Sequence, residues 1–281
     1  TSTLTYVELA NLDSVNQVIS GGTGAGTLTL TGYTGDEQGG TVTYSYLFQN
    51  DQTHTVADVA DSVYDNFAVV VTDVDSDIDT AQLSIEIVDD LPTAVTDGTV
   101  GVVEDGLLSV NGNVLTNDDA NADEPKSFVQ WDSATTAGDD LTAYGTVTLS
   151  ANGDYSFVLT NDDADTQALA EDEVKTATFN YTMKDADGDT DTASVTITVT
   201  GADDGVTITG LTVEGSDEVV YEANLADGSA PDAGELTQGG TFSLVALDGI
   251  GSVKVGTSTL TYVELANLDS VNQVISGGTG A

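Results

Sequence analysis

Apolar and polar residues alternate with a period of two along most of the chain. Thr41-Val42-Thr43-Tyr44-Ser45-Tyr46, Gln82-Leu83-Ser84-Ile85-Glu86-Ile87-Val88 and Ser194-Val195-Thr196-Ile197-Thr198-Val199 are clear cases. This period, carried by β-branched and aromatic residues, predicts strands with one face buried. Clusters of Gly, Asn and Asp interrupt the runs at short intervals and predict turns. No long amphipathic helix is legible, although Asp165–Val174 has room for one or two helical turns. Many short, regularly punctuated strands predict an all-β chain of β-sandwiches.

Two strand–loop–strand endings mark the domain limits. In the first, Phe67–Thr72 leads through Asp73-Val74-Asp75-Ser76-Asp77-Ile78-Asp79 into a strand that ends at Val88, before Asp89-Asp90-Leu91-Pro92. In the second, Phe179–Lys184 leads through Asp185-Ala186-Asp187-Gly188-Asp189-Thr190-Asp191 into a strand that ends at Thr200, before Gly201-Ala202-Asp203-Asp204. Both read as penultimate strand, acidic loop, last strand and acidic linker. Boundaries near 92 and 203 follow, with one complete domain over 93–203. Residues 1–25 recur letter for letter as 257–281. Residues 1–92 are therefore expected to be the C-terminal part of one repeat. Residues 204–281 are expected to be the N-terminal part of the next.

Charge changes the picture. The 281 residues include 48 acidic and four basic ones, a formal net charge of −44. Phosphate binding needs a basic surface, so nucleic acid is excluded as a partner, and anionic membranes are disfavoured. No run of 18 apolar residues predicts a membrane span in this segment. Cysteine is absent, so no disulfide contributes. Like charge at this density repels itself, and bound divalent cations or high external salt are the candidate remedies.

Residues 93–203 resemble the VCBS repeat, a cadherin-like domain of giant bacterial proteins. The resemblance is carried by Val103-Glu104-Asp105-Gly106, Gly112–Asp118, Tyr144–Leu149, Asn152–Phe157 and Asp185–Asp189. The flanking segments resemble the longer repeat of type I-secreted adhesins, through Leu28–Gly32, Phe67–Asp79 and Val88–Pro92. The resemblance implies tandem immunoglobulin-like or cadherin-like β-sandwiches in an elongated array, from the extender region of an RTX-type adhesin. It also implies type I secretion, an extracellular place on the bacterial cell surface, a role in adhesion or biofilm formation, and stiffening by calcium.

The acidic loops carry the chemistry. Calcium takes six to eight oxygen ligands in flexible geometry, and aspartates at alternate positions of a short loop can converge on one ion. Asp185, Asp187 and Asp189 have that spacing, with Gly188 for the sharp turn. Asp73, Asp75 and Asp77 repeat it with Ser76 in place of glycine. Asp79 and Asp191 extend the two series. In an immunoglobulin-like sandwich, the loop before the last strand lies at the pole where the domain's own N-terminus enters. The 185–191 loop is therefore expected to face Asp89 and Asp90 and to share a Ca2+ site with them across the junction. Asp203 and Asp204 are expected to meet the next domain in the same way. Glu104 and Glu214, early in their domains, are further candidate ligands. Several ions, mainly at junctions, are expected. The competing reading is that these aspartates are solvated turns. The Asn- and Asp-rich stretches at 117–123 and 161–165 are read as turns.

No Ser-His-Asp or Cys-His set can be assembled, so the chain is not read as an enzyme. His54, the lone histidine, lies in a polar, loop-like stretch and is expected at the surface. Trp131 is expected to pack rather than to bind sugar. The functional expectation is a calcium-stabilised structural stalk segment, whose partners are neighbouring copies of the repeat, in cis or head-to-tail. A host or matrix ligand would engage another region of the parent protein. The alternatives are a carbohydrate- or cell-binding module and an acidic surface-layer protein of a halophile.

Overall fold

A computed structural model describes residues 3–56, 58–212 and 217–268. Over these residues the chain is all-β, with sheets separated by turns and two α-helices of four and five residues. It begins with α1 (Tyr6–Leu9), followed by β1 (Gln17–Ile19), β2 (Gly26–Asp36) and β3 (Gly39–Phe48), which form one antiparallel sheet. β4 (Ser62–Thr72) and β5 (Ile78–Val88) form an antiparallel hairpin closed by the first acidic loop.

The middle domain holds seven strands in two sheets. These strands are β6 (Gly98–Val103), β7 (Ser109–Asn113), β8 (Ser127–Gly138), β9 (Gly145–Leu149), β10 (Asp154–Leu159), β11 (Val174–Lys184) and β12 (Thr190–Thr200). One sheet runs β6-β12-β11-β8 and the other β7-β10-β9. All pairings are antiparallel except β6 with β12, which places Val102 beside Val199 in parallel register. Alternation puts Ala177, Phe179, Tyr181 and Met183 of β11, and Val195, Ile197 and Val199 of β12, on the inner face, all at most 3% exposed. Apart from Met183, they pack with Val102 of β6 in the same sheet and with Val114, Leu141 and Phe157 from the opposite layer and its loops. Each buried Val, Ile, Leu, Phe or Met here contributes about 1.5–3 kcal/mol by leaving water. This core fixes the hairpin β11–β12, and with it the loop at 185–189.

The flanking segments differ. β3 alternates as expected, yet none of its ten residues is buried, and Val42, Tyr44, Leu47 and Phe48 are exposed. The ends of β4 and β5 nearest the acidic loop are also bare, at Val69, Val70, Val71 and Ile78. The pattern makes the strands, but among the described residues only Tyr46 along β3 meets β4, with its ring 6.2 Å from Phe67 and its hydroxyl donating to Asp65 Oδ2 at 2.8 Å, so the expected burial of one face fails over most of these residues. The C-terminal segment holds only two-stranded ladders, β13 (Val206–Thr209) with β14 (Ser243–Ala246) and β15 (Ser252–Val255) with β16 (Ser258–Thr261). It ends in α2 (Tyr262–Ala266).

The short helix of the duplicated segment forms in both places. Thr5 and Glu8 form a capping box on α1, and Thr261 and Glu264 form the same box on α2. The stretch at 165–174 is a run of turns and not a helix of two turns. Gln167 N donates to Asp163 O at 2.9 Å, Thr166 and Leu169 are buried, and Asp172 takes a left-handed φ of 62° that stops any helix.

Candidate metal centre at the domain junction

The loop between β11 and β12 is closed by its own backbone and by one carboxylate. Asp185 N donates to Asp189 O at 3.1 Å, and Asp185 Oδ1 accepts from Gly188 N at 3.0 Å and Asp189 N at 2.9 Å. Gly188, at φ 111°, supplies the left-handed step that lets the chain turn back. The remaining oxygens of the loop then point toward the preceding segment.

That segment arrives from two directions. The linker after β5 delivers Asp89, whose N donates to Asp61 O at 3.0 Å. The 51–61 loop crosses above the acidic loop. His54 N donates to Asp187 Oδ2 at 3.0 Å, Asp58 N donates to Asp189 Oδ1, and Thr190 N donates to Asp58 Oδ1 at 2.8 Å. From the middle domain, Asp123 closes the floor, its carbonyl accepting from Ala186 N at 2.9 Å. Two oxygen-only trios result: Asp89, Asp187 and Asp189, and Asp123, Asp185 and Asp187. In each trio the ligand atoms all lie within 4.8 Å of one another.

The cluster is dry and under-compensated. Asp89, Asp123, Asp185 and Asp189 are 8%, 2%, 2% and 2% exposed. Asp89 Oδ2, Asp185 Oδ2 and Asp187 Oδ1 are buried without a hydrogen-bond partner among the described residues. Burial pushes the Asp89 carboxyl up to about 6, with Asp189 and Asp187 adding repulsion and His54 opposing. Burial and the neighbouring Asp51 push Asp123 up to about 7. Burial, together with Asp187, also raises Asp185. Orphaned buried carboxylate oxygens are costly, and a hard divalent cation with oxygen ligands answers that cost. The donor set therefore fits calcium.

The other expected ligands lie at varied places. Asp90 is exposed beside the cluster, its Oδ2 3.4 Å from Ala122 N. Asp191 accepts from Ala94 N at 2.8 Å and pins the domain's entry. Asp73, Asp75 and Asp77 gather closely, but all three are exposed. Asp79, the second residue of β5, is exposed. At the opposite pole, Glu104 is 1% exposed and accepts from Gln167 Nε2 at 2.9 Å and Ala202 N at 3.0 Å. Burial raises its carboxyl, with Asp204, Asp105 and Asp248 adding repulsion. Asp204 Oδ2 and Asp248 Oδ1 are buried and unpartnered there among the described residues, while Asp203 is exposed and caps Gly205 N. Glu214 lies outside the described residues.

Sequence reasoning missed Asp51, Asp58, Asp61, Asp123 and Asp248. None stands in an alternating series, and only the packing of separate loops brings them in. The expectation that His54 is at the surface is corrected: it is 4% exposed, its Nδ1 lies 2.9 Å from Asp61 Oδ1, and the junction covers it. Asp123, read as part of a turn, also lines the centre. Trp131 packs on Phe128 and Tyr181 and donates from Nε1 to Ser150 O at 3.0 Å.

Residues 89–201 match the family model of the bacterial cadherin-like domain. No curated protein matches the chain. Among solved structures, mouse clustered PcdhgC3 EC1-3 is similar at 16% identity and a TM-score of 0.30, over 67% of this chain and 55% of that one. Protocadherin Gamma B2 extracellular cadherin domains 1-5 are similar at 11% identity and a TM-score of 0.28, over 70% and 48%. A SusE-like surface located polysaccharide binding protein from the Bacteroides thetaiotaomicron heparin utilisation locus is similar at 10% identity and a TM-score of 0.24, over 67% and 36%. The chain thus spans about half the length of the protocadherin chains it matches. Among the described residues, no helix is long and apolar enough to cross a membrane.

Proposed function

We propose that this chain is a calcium-stiffened stalk segment of a large secreted bacterial surface adhesin, built from VCBS-type and RTX-adhesin-type repeats. Its task is mechanical: to hold a distant binding region away from the cell. The observation that carries this reading is the burial, at one junction, of Asp89, Asp123, Asp185 and Asp189, with half-buried Asp187 beside them and three orphaned oxygens among the five. These residues would hold the ion. Bound there, calcium would neutralise the cluster and tie the linker to the loop, so the joint resists bending. Without it, like charges in a dry pocket repel and the joint loosens. The match of residues 89–201 to a bacterial cadherin-like domain supports an extracellular, adhesion-type and non-enzymatic setting.

The test is thermal unfolding of the full chain in calcium, in magnesium and in chelator, at fixed high sodium chloride. A large rise with calcium alone supports the reading. Equal unfolding in all three leaves the aspartates as surface charge and moves the halophile surface-layer reading to the front.

A further inference from the structure

We propose that the junction carries a second, chemically distinct metal position, formed by His54, Asp61 and Asp89 and suited to a transition-metal ion such as Zn2+. The three residues each present a ligand atom, all within 4.8 Å of one another. His54 is 4% exposed and Asp89 is 8% exposed, and Asp61 is half-buried, so the position is shielded on most sides from bulk water. Asp89 Oδ2 has no hydrogen-bond donor among the described residues, although it is buried beside the imidazole. Asp89 also belongs to the oxygen-only trio with Asp187 and Asp189, so the two positions would share one carboxylate as a bridge.

The donor set separates the two positions. Calcium takes oxygen ligands, whereas imidazole nitrogen with carboxylate oxygen favours zinc and its neighbours. The ion would replace the proton between His54 Nδ1 and Asp61 Oδ1, which now stand 2.9 Å apart. Tetrahedral zinc, with bonds of about 2.0–2.2 Å, needs its ligand atoms about 3.3 Å apart, so seating the ion asks for a small outward shift. Three protein ligands leave a fourth place for water. The local backbone supports the arrangement: His54 N is held by Asp187 Oδ2, and Asp89 N by the Asp61 carbonyl. Two ligands come from the 51–61 loop and one from the linker, so the ion would clip that loop to the linker.

This inference touches the calcium reading only through Asp89, and its test keeps the two apart. His54 is the lone histidine of the chain, so one imidazole reports in a long-range 1H–15N NMR spectrum. The full chain, saturated with calcium, is titrated with ZnCl2. The expected result is a one-to-one shift of the Nδ1 resonance to a metal-bound position, with calcium retained. His54→Gln and Asp61→Asn should each weaken zinc binding at least about tenfold while leaving the calcium-dependent thermal shift in place. An Nδ1 resonance that stays put, or His54→Gln binding zinc as tightly as the parent, would reduce the trio to an ion pair and overturn the proposal. If calcium proves inert while zinc still moves the imidazole, the stalk reading fails and the zinc position stands.

Discussion

The hairpins β4–β5 and β11–β12 are built to the same plan. Each has two strands of eleven residues, from Ser62 to Val88 and from Val174 to Thr200. Each acidic loop closes with the same bonds. Asp73 N donates to Asp77 O at 3.0 Å and Asp77 N to Asp73 Oδ1 at 2.8 Å, matching 3.1 Å and 2.9 Å between Asp185 and Asp189. The outcomes diverge. Hydrogen bonds from Asp75 and Asp77 hold the Asp73 carboxyl below the usual carboxylate range in open solvent, whereas burial pushes Asp185 up. One loop stands free and the other is capped by the 51–61 loop and the linker. A DxDxD loop is thus a geometry, and burial by a neighbouring segment leaves its carboxylates shielded and partly unpartnered.

The largest expected effect is that of calcium itself. An ion present at a hundredfold excess over its Kd adds about 2.7 kcal/mol. For a domain of this size that raises Tm by about 10 °C. Differential scanning calorimetry should place this shift in the transition of the middle domain.

The next prediction separates the hairpins directly. Asp89→Asn keeps the shape and the Oδ1 acceptor for Asp90 N at 2.9 Å, but it removes the shared negative ligand. It should abolish most of the calcium-dependent rise. Asp75→Asn, in the exposed loop, should change Tm by no more than about 1–2 °C, as surface changes do. Equal losses from both would break the comparison.

A pH series sharpens it further. Asp89 and Asp123 titrate higher in the folded chain, at about 6 and about 7, than their ordinary value of 3.8. The folded state then binds more protons than the unfolded one, so stability falls as pH rises between these values. In chelator, Tm should fall steadily from pH 5 to pH 7.5. Over the same range the rise caused by calcium should grow, because the ion needs ionised carboxylates. A chelated protein that gains stability toward pH 7.5 would contradict a dry, unpaired cluster.

The smallest effect concerns the turn. Gly188 and Ser76 occupy equivalent places, both left-handed, at φ 111° and 79°. A side chain there is strained, so Gly188→Ser should cost about 1 kcal/mol in urea unfolding. Ser76→Gly should recover less than that, since glycine loses more entropy on folding.

Period-two alternation, the two acidic loops and the duplicated segment were legible in the residues, because strand spacing, turn chemistry and capping are local. Thr5 and Glu8 box their helix just as Thr261 and Glu264 do, wherever the segment lies. Asp187 and Asp189 could be singled out from spacing, since they sit two apart on one loop. What faces them could not. Asp123 reaches the junction from one loop and Asp61 and His54 from another, and only the tertiary structure sets them beside Asp89. Burial followed the same division. β3 and β11 alternate alike, but β11 is covered on one face along its length, whereas among the described residues β3 meets β4 only through Tyr46. Alternation states which side chains can share a face, a property of the strand alone. Whether that face is dry depends on another segment arriving to cover it, and no residue of the strand encodes that arrival.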